Sequence, residues 1–425
     1  MKKKMLACFM ASIMGIGTLA GMGAFAEEAQ EPVTITMWWP GSGDSYEALA
    51  TQLADLVHEK YDWITVDTLV IPWADYDSKM NVAFAGGTAP DIFGVGLNTL
   101  PTYVQTGNLQ KMSEVLDDSW DGWTDIPENI QQYASYEDAF YGVMMCDLRP
   151  FMWRKDLFEA AGLDPDTPPA NAEELFEYAQ KLTEYDENGK VKTAGFQIQT
   201  SGYVDQTLFA AMLMFGLDEF WDEEYNLTIQ DPKMIQAVEY CKSFIDEGLC
   251  NYSEGIATTA FSDGTAAMTL NTACNELGNL EDTIGFDNIG VAAPFMEDQA
   301  NFVGGTIVCV NNQAKNMDAV MKAYEVMTSK EGCEICGLTA GFCPPRESAL
   351  DAYVAQNPDI YGPIAEILPY AKSYGDKLNP CFADFRDILK NYMEQIYYGK
   401  MDVEEGLQSI VDDYKQAQQD WADNM

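Results

Sequence analysis

The sequence has little positive charge. Its 425 residues include 68 Asp and Glu but only 24 Lys and Arg, which gives a formal net charge of −44 at pH 7. Such a charge repels nucleic acid and anionic lipid, so we expect neither as a partner. Arginine is scarce, and bidentate recognition of phosphate or carboxylate usually needs it. The favoured interpretation of the charge is a well-solvated acidic surface; the secondary one is a site that prefers neutral or cationic solutes, and the scarcity of arginine argues against an anionic solute without excluding it. The four arginines are Arg149, Arg154, Arg346 and Arg386.

Histidine is almost absent as well. The single histidine, His58, lies in a segment with the periodicity of an amphipathic helix, and no Gly-x-Ser-x-Gly motif accompanies it. A Ser-His-Asp triad therefore cannot be built, and we expect no catalytic residues, metal or cofactor. The rival class is an exported glycan-cleaving enzyme. Such an enzyme needs two catalytic carboxyl groups at a set spacing, and the sequence does not show which of its many acids could have that spacing.

Cysteine pairing cannot be complete. Nine of the ten cysteines follow residue 26, an odd number, and the only local cluster is Cys333-x-x-Cys336 with Cys343. This cluster could be a redox pair, part of a metal site or a set of unpaired thiols. A metal site is the least favoured, because no fourth ligand is evident. Buried free thiols are favoured over a single disulfide.

Long apolar runs are absent after the N-terminus. Residues 1–26 contain three lysines, an apolar run and a final Ala24-Phe25-Ala26, which is the pattern of a cleaved signal peptide. We therefore expect export to the periplasm or the cell exterior, a mature chain that begins at Glu27, and neither a lipid anchor nor stable membrane insertion. The remaining length suits two domains.

Strands and helices alternate in the first part of the chain. Residues 33–39 and 66–71 have the pattern of strands, and Ile92 begins another. Residues 46–57 and 76–85 have helical periodicity. This alternation predicts a parallel sheet with helices on both faces, and a binding site beyond the carboxyl ends of its strands. A second unit begins near Cys146, with helices predicted over residues 172–183, 207–216 and 232–247, the first capped by Asn171.

Several motifs occur in an order that is typical of one family. They are the strand at residues 33–39, the helix–Gly-Gly–Pro-Asp–strand segment 79–93, Gly142-Val143, and the segments 153–163, 261–268 and 341–346. With these motifs the chain resembles the extracellular solute-binding proteins of ABC importers, in the carbohydrate-binding family that includes the maltose-binding protein. The resemblance covers the chain from about Val33 to the C-terminus.

The resemblance implies an α/β fold of the two-domain type II periplasmic-binding-protein class, with parallel sheets flanked by helices and a multi-strand hinge. The N-terminal lobe would comprise residues 27–145 and 293–331, and the C-terminal lobe residues 146–292 and 332–425. A third crossover is expected near residues 329–332. The implied function is capture of a sugar or oligosaccharide by a monomer, which delivers it to the importer's membrane subunits. A polyamine or another cation is the alternative solute, because aromatic side chains and acids also suit ammonium groups.

Sugars present apolar C–H patches and a rim of hydroxyl groups, so their sites combine aromatic faces with acids or amides. Trp38 and Trp39 point to opposite faces of a strand, and Trp39 is the predicted stacking residue because it is nearer the loop. Asp91 is expected to cap local backbone N–H groups instead of touching solute. Asp147 matches the position of a sugar-binding acid in the family. The predicted ligand-binding set is Trp39, Asp44, Trp73, Asn98, Asp147, Tyr203, Asn275, Gly304 and Arg386.

One departure from the family concerns the segment after Asn271. The family commonly has a tryptophan there that stacks on the sugar, whereas this chain continues with Thr-Ala-Cys-Asn. The aromatic platform must then come from elsewhere. The candidates are Tyr203, Phe342, Phe382 and Phe385.

Overall fold

The structure is a computed structural model that describes residues 30–198, 204–250, 252–253, 256–257, 260–296, 299–375 and 377–424. The predicted signal peptide and cleavage site, and the predicted ligand contact Tyr203, lie outside these residues. No helix among the residues described is both long and apolar enough to cross a membrane.

The strands are β1 Val33–Pro40, β2 Ile64–Ile71, β3 Ile92–Gly96, β4 Ser135–Tyr136, β5 Ala139–Phe140, β6 Gly142–Leu148, β7 Phe151–Arg154, β8 Glu184–Tyr185, β9 Val191–Thr193, β10 Tyr252–Ser253, β11 Ile256–Ala257, β12 Met268–Thr269, β13 Ile289–Ala292, β14 Asn301–Val310 and β15 Ala371–Lys372.

The helices are α1 Asp44–Lys60, α2 Trp73–Gly86, α3 Leu100–Gln105, α4 Gly122–Asp125, α5 Glu128–Tyr133, α6 Lys155–Ala160, α7 Ala172–Leu182, α8 Val204–Met214, α9 Pro232–Asp246, α10 Leu277–Thr283, α11 Met317–Met327, α12 Lys330–Ala340, α13 Leu350–Val354, α14 Pro358–Glu366, α15 Phe382–Tyr397 and α16 Val403–Asn424.

The first lobe is built on a sheet with the order β15-β14-β3-β1-β2, and β6 also pairs with β14. Strand β1 is parallel to both β2 and β3, as the alternation of strands and helices predicted. Strand β14 is antiparallel to β3 and to β6. Because β6 leads into the second lobe and β14 returns from it, these two paired strands form the connection between the lobes.

Asp91 joins two strands of this sheet. Its Oδ2 accepts hydrogen bonds from the backbone N–H of Thr36 at 2.8 Å and from the Thr36 hydroxyl at 2.9 Å. The Asp91 N–H donates in return to Thr36 Oγ1 at 3.0 Å. Asp91 therefore has a structural role, as expected. The expectation that it caps local backbone N–H groups is wrong, because its partner Thr36 lies 55 residues away in β1.

The second lobe contains a smaller sheet with the order β12-β7-β13, in which both pairings are antiparallel. The expected two-lobed α/β fold is confirmed, but this sheet differs from the parallel one that we expected. The reason is topological. The chain leaves the first lobe through β6 and β7 and returns through β13 and β14, so β7 and β13 run in opposite directions. Asn171 caps α7 as predicted, because its side chain accepts a hydrogen bond from Glu174 N–H at 2.9 Å.

Helix α12 packs against α1 of the first lobe. Lys60 Nζ lies 2.7 Å from Glu331 Oε2, and Thr339 donates a hydrogen bond to Gln52. Just beyond this helix, the backbones of Cys146 and Cys343 exchange hydrogen bonds of 2.9 and 3.3 Å. These contacts favour a third crossover at residues 341–344 instead of 329–332. The lobe boundaries themselves stay a prediction.

The nine cysteines that the structure describes are all buried and free. This agrees with the favoured interpretation of the cysteine cluster as unpaired thiols. Burial raises the pKa of Cys333 to about 12, so this thiol is protonated at neutral pH.

Candidate functional site

An aromatic cluster lies where β1 meets α1. Trp39, at the carboxyl end of β1, is only 1% exposed, and its ring meets the edge of Phe342 with 6.4 Å between centroids. The Tyr46 ring contacts the same Phe342 at 6.0 Å. The turn between β1 and α1 requires glycine, because a Cβ on Gly41 would lie 2.2 Å from the Tyr46 ring. Phe342 is itself only 2% exposed, so in this structure the cluster is packed, and Phe342 is the candidate platform residue that lies beside Trp39.

Tyr46 also connects the two lobes. Its hydroxyl accepts a hydrogen bond of 3.1 Å from Asn275 Nδ2, on a segment that follows β12 of the second lobe. Burial and the negative charge of Asp147 raise the pKa of Tyr46 well above its usual range, so the hydroxyl remains protonated. The predicted residue Asn275 therefore lies on the second lobe, opposite the aromatic residue Tyr46 of the first lobe.

Asp147 lies at the end of β6, directly beside Gly304 of β14. Arg149 Nη1 donates to its Oδ1 at 2.5 Å and to its backbone oxygen at 2.6 Å. A Cβ on Gly304 would lie 2.3 Å from Asp147 Oδ1, so glycine here makes room for the carboxylate. The Asp147 side chain remains 19% exposed. Burial raises its pKa, although Arg149 and the Gly304 N–H act in the opposite direction.

A second acid shares this environment. Desolvation raises the pKa of Glu276, next to Asn275, while the positive charge of Arg149 lowers it and Asp147 raises it further. The Arg149 guanidinium also lies over the Phe302 ring at 5.2 Å. The floor of the site therefore combines two carboxyl groups with one guanidinium.

Arg386 belongs to a neighbouring group in the second lobe. Its Nε lies 3.1 Å from Oδ1 of the buried Asp205, whose Oδ2 accepts a hydrogen bond of 2.6 Å from Tyr374. The Tyr374 ring stacks on Phe382 with a centroid distance of 5.6 Å. Phe382 and the fully buried Phe385 are thus part of the packing of this lobe.

The remaining predicted residues lie at the carboxyl edge of the first sheet. Asp44 is the exposed first residue of α1. Trp73 begins α2 and is 43% exposed. Its ring borders Gly96, and the partly buried Asn98 lies in the 3₁₀ turn that follows. Helix α15 of the second lobe approaches this turn.

The structure thus brings Trp39, Asp147, Asn275 and Gly304 to the meeting of the two lobes. It places Asp44, Trp73 and Asn98 along the edge, and Arg386 beside Asp205. Sequence reasoning missed Tyr46, Arg149 and Glu276. Their spacing offered a weak signal, because each lies one or two residues from a predicted contact. Within the described ranges, no group of three or more His, Cys, Asp or Glu side chains could hold a metal ion.

The comparisons with known proteins agree with this architecture. The sequence model of the bacterial extracellular solute-binding proteins matches residues 52–361. The sn-glycerol-3-phosphate-binding periplasmic protein of Salmonella typhimurium is 23% identical over 425 residues, which cover 92% of this chain and 93% of that protein.

Solved structures show the same fold. An ABC transporter solute-binding protein of Thermotoga lettingae, bound with alpha-D-tagatose, has a TM-score of 0.78 at 20% identity, covering 90% of this chain and 99% of its own. An ABC substrate-binding protein of Listeria monocytogenes in complex with cycloalternan has a TM-score of 0.77 at 20% identity, with coverages of 91% and 99%. The type II fold is therefore confirmed. Because the family model matches most of the sequence, this chain belongs to the bacterial extracellular solute-binding protein family.

Proposed function

We propose that this protein captures a sugar or oligosaccharide between its lobes and delivers it to the membrane subunits of an ABC importer. The observation that carries the proposal is the meeting of Trp39, Tyr46 and Phe342 with Asn275 and Asp147 at the strands that join the lobes. Aromatic rings suit the C–H faces of a sugar, and the amide and carboxylate suit its hydroxyl groups. The sugars in the Thermotoga and Listeria structures support this solute class.

Capture would depend on closure of the hinge. Tyr46 and Asn275 lie on different lobes in our assignment, so separation of the lobes would break the hydrogen bond between them. A solute that contacts both walls stabilises the closed form relative to the open one, and the importer then receives a closed, loaded protein. The proposed contacts are Trp39, Asp44, Trp73, Asn98, Asp147, Tyr203, Asn275, Gly304 and Arg386.

A thermal-shift screen with mono- and oligosaccharides, and with polyamines as the comparison series, tests the function. A ligand at 100 times its Kd should add about 2.7 kcal/mol to the free energy of unfolding. We expect a saccharide to raise Tm and polyamines to leave it unchanged, since the comparisons do not favour the polyamine alternative. Stabilisation by a polyamine alone would contradict the proposal. Product formation from an oligosaccharide would contradict the proposal that the protein is not an enzyme.

Two variants test the site. Asp147→Asn should weaken charge-assisted hydrogen bonds, and Trp39→Ala should remove a stacking surface, each costing roughly 1–3 kcal/mol of binding free energy. Because Trp39 is buried, Trp39→Phe provides a second variant that keeps a ring in the core. The exposed Asp67→Asn on β2 is the matched control. If Asp147→Asn and both Trp39 variants bind the best saccharide as tightly as the parent, the site assignment is wrong.

The family supports an exported location, and we propose cleavage after Ala26, a periplasmic or extracellular location and a monomeric state. The intact mass of the exported protein should correspond to a chain that starts at Glu27 without lipid. Light scattering should give the mass of one chain. A retained leader, an acyl group or a stable dimer would contradict the respective part of this proposal.

A further inference from the structure

Residues 341–346, the segment that follows α12, contact the aromatic part of the site. The centroid of the Phe342 ring lies 6.4 Å from that of Trp39 and 6.0 Å from that of Tyr46. Phe342 is buried, so its position depends on the packing around it. The course of this one segment therefore decides where the candidate platform residue lies.

The same segment also contacts the polar part of the site. Cys343 exchanges two backbone hydrogen bonds with Cys146, which directly precedes Asp147. Gly341 has a φ of 74°, and a Cβ there would lie 3.1 Å from the Cα of Asn275. A displacement of the segment would therefore disturb the aromatic and the polar contacts together.

A buried arginine fastens the far end of this segment. Arg346 is 1% exposed, and its Nε donates a hydrogen bond of 2.6 Å to the carbonyl oxygen of Thr328, directly after α11. Its Nη1 donates to Asp121 Oδ1 at 2.9 Å and to Asp125 Oδ2 at 3.1 Å. The guanidinium also lies over the Trp120 ring, 5.4 Å from its centroid. All of these partners are distant in sequence from Arg346.

Asp125, the last residue of α4, holds the segment at a second point. Its Oδ1 accepts a hydrogen bond of 2.8 Å from the backbone N–H of Ser348, and its Oδ2 accepts one of 2.7 Å from the Ser348 hydroxyl. Hydrogen bonds to a charged group are roughly twice as strong as those between neutral groups. The chain around Arg346 is therefore firmly attached to α4.

The chain between Arg346 and Phe342 is stiff. It contains Pro344 and Pro345, whose rings fix φ, and proline also restricts the residue before it to extended conformations. Few rotatable bonds therefore separate the two side chains. A constraint on Arg346 is transmitted to Phe342.

We infer that Arg346 is a positioning residue of the solute site, which holds Phe342 beside Trp39 through the carboxylates of Asp121 and Asp125. The inference rests on the proposed function and adds a residue that lies outside the proposed contacts. The planar guanidinium is essential to this role, because it reaches a carbonyl oxygen and two carboxylates at once. An ammonium group is a compact point charge on a flexible stem and does not reproduce that geometry.

Hydrogen exchange followed by mass spectrometry tests the inference without any solute. We expect Arg346→Lys and Asp125→Asn to speed exchange of the amides of residues 341–343 by about tenfold, because local opening becomes easier. Arg154→Lys is the matched control, since it alters an arginine that lies 2.6 Å from Asp156 on a different strand, and it should leave these amides unchanged.

Unchanged exchange in both test variants would overturn the inference. Equal acceleration along the whole chain would also overturn it, because that result indicates global destabilisation instead of local release. Asp125→Asn keeps the buried guanidinium and decides the question where Arg346→Lys fails to fold.

Titration of the best saccharide in a double-mutant cycle tests the route through Phe342. Arg346→Lys should weaken binding by about five- to tenfold in the parent, but by less than about twofold in a Phe342→Ala background, where no ring is left to position. The same loss in both backgrounds would overturn the inference. Failure of every saccharide to bind the parent would contradict the proposed function instead, and the exchange measurement would still decide whether Arg346 holds the segment.

Discussion

Replacing Gly304 with alanine tests the geometry at the centre of the site. The new Cβ would lie 2.3 Å from Asp147 Oδ1, whereas ordinary contact begins at 3.4 Å, so the carboxylate would have to move by about 1 Å. That carboxylate is held by Arg149 at 2.5 Å in a pair whose side chains are 8% and 19% exposed. Loss of a hydrogen bond to a charged group costs about 1.5–3 kcal/mol. We therefore expect Gly304→Ala to lower the free energy of unfolding by roughly 2 kcal/mol.

Urea unfolding followed by tryptophan fluorescence measures this loss. The control is Gly278→Ala in α10, where an added Cβ meets nothing within 4 Å. This control should be neutral or stabilise the protein by up to about 1 kcal/mol, as alanine does in a helix. The titration of the best saccharide should also show weaker binding to Gly304→Ala than to Gly278→Ala.

A double mutant shows whether the cost comes from Asp147. In an Asp147→Ala background the obstructing carboxylate is gone, so Gly304→Ala should then cost less than about 0.5 kcal/mol. The same cost in both backgrounds would refute the reasoning, because the strain would then arise elsewhere in β14. A Gly304→Ala protein as stable as the parent would refute it directly.

Three further predictions concern stability and metal. Asp91→Asn should lower the free energy of unfolding by about 1–3 kcal/mol, because it weakens the two hydrogen bonds to Thr36. It should leave saccharide affinity unchanged, with the exposed Asp67→Asn as control; a loss of affinity without a loss of stability would contradict this. Thiols whose pKa is raised by burial are protonated in the fold and ionise in the unfolded chain, so the stability they provide below about pH 9 should be lost as pH rises towards 12. The thiols concerned are Cys241, Cys250 and Cys333, each with a pKa of about 12. Urea unfolding at pH 7, 9 and 10 should show a lower free energy of unfolding at the higher pH, and a free energy of unfolding that does not change with pH would contradict this prediction. Finally, EDTA should change neither Tm nor saccharide affinity, and a marked fall in either would reveal a metal site.

The sequence by itself determined the local elements and the family. The apolar pattern of β1, β2 and β3 and the helical periodicity between them follow from contacts over a few residues, which periodicity reports directly. The cap of α7 by Asn171 is local in the same sense. The ordered motifs led to the solute-binding family, and the match over residues 52–361 confirms it.

Only the tertiary structure decided how the site is assembled. Tyr46 and Asn275 are 229 residues apart, and no local pattern indicates that they share a hydrogen bond. The backbones of Cys146 and Cys343 exchange hydrogen bonds and α12 packs on α1, and periodicity does not encode such contacts between segments that are distant in sequence. Arg149 acquired its role in the same manner. It forms an ion pair with Asp147, and its Nε is buried without a partner among the described residues, because tertiary packing encloses this side chain.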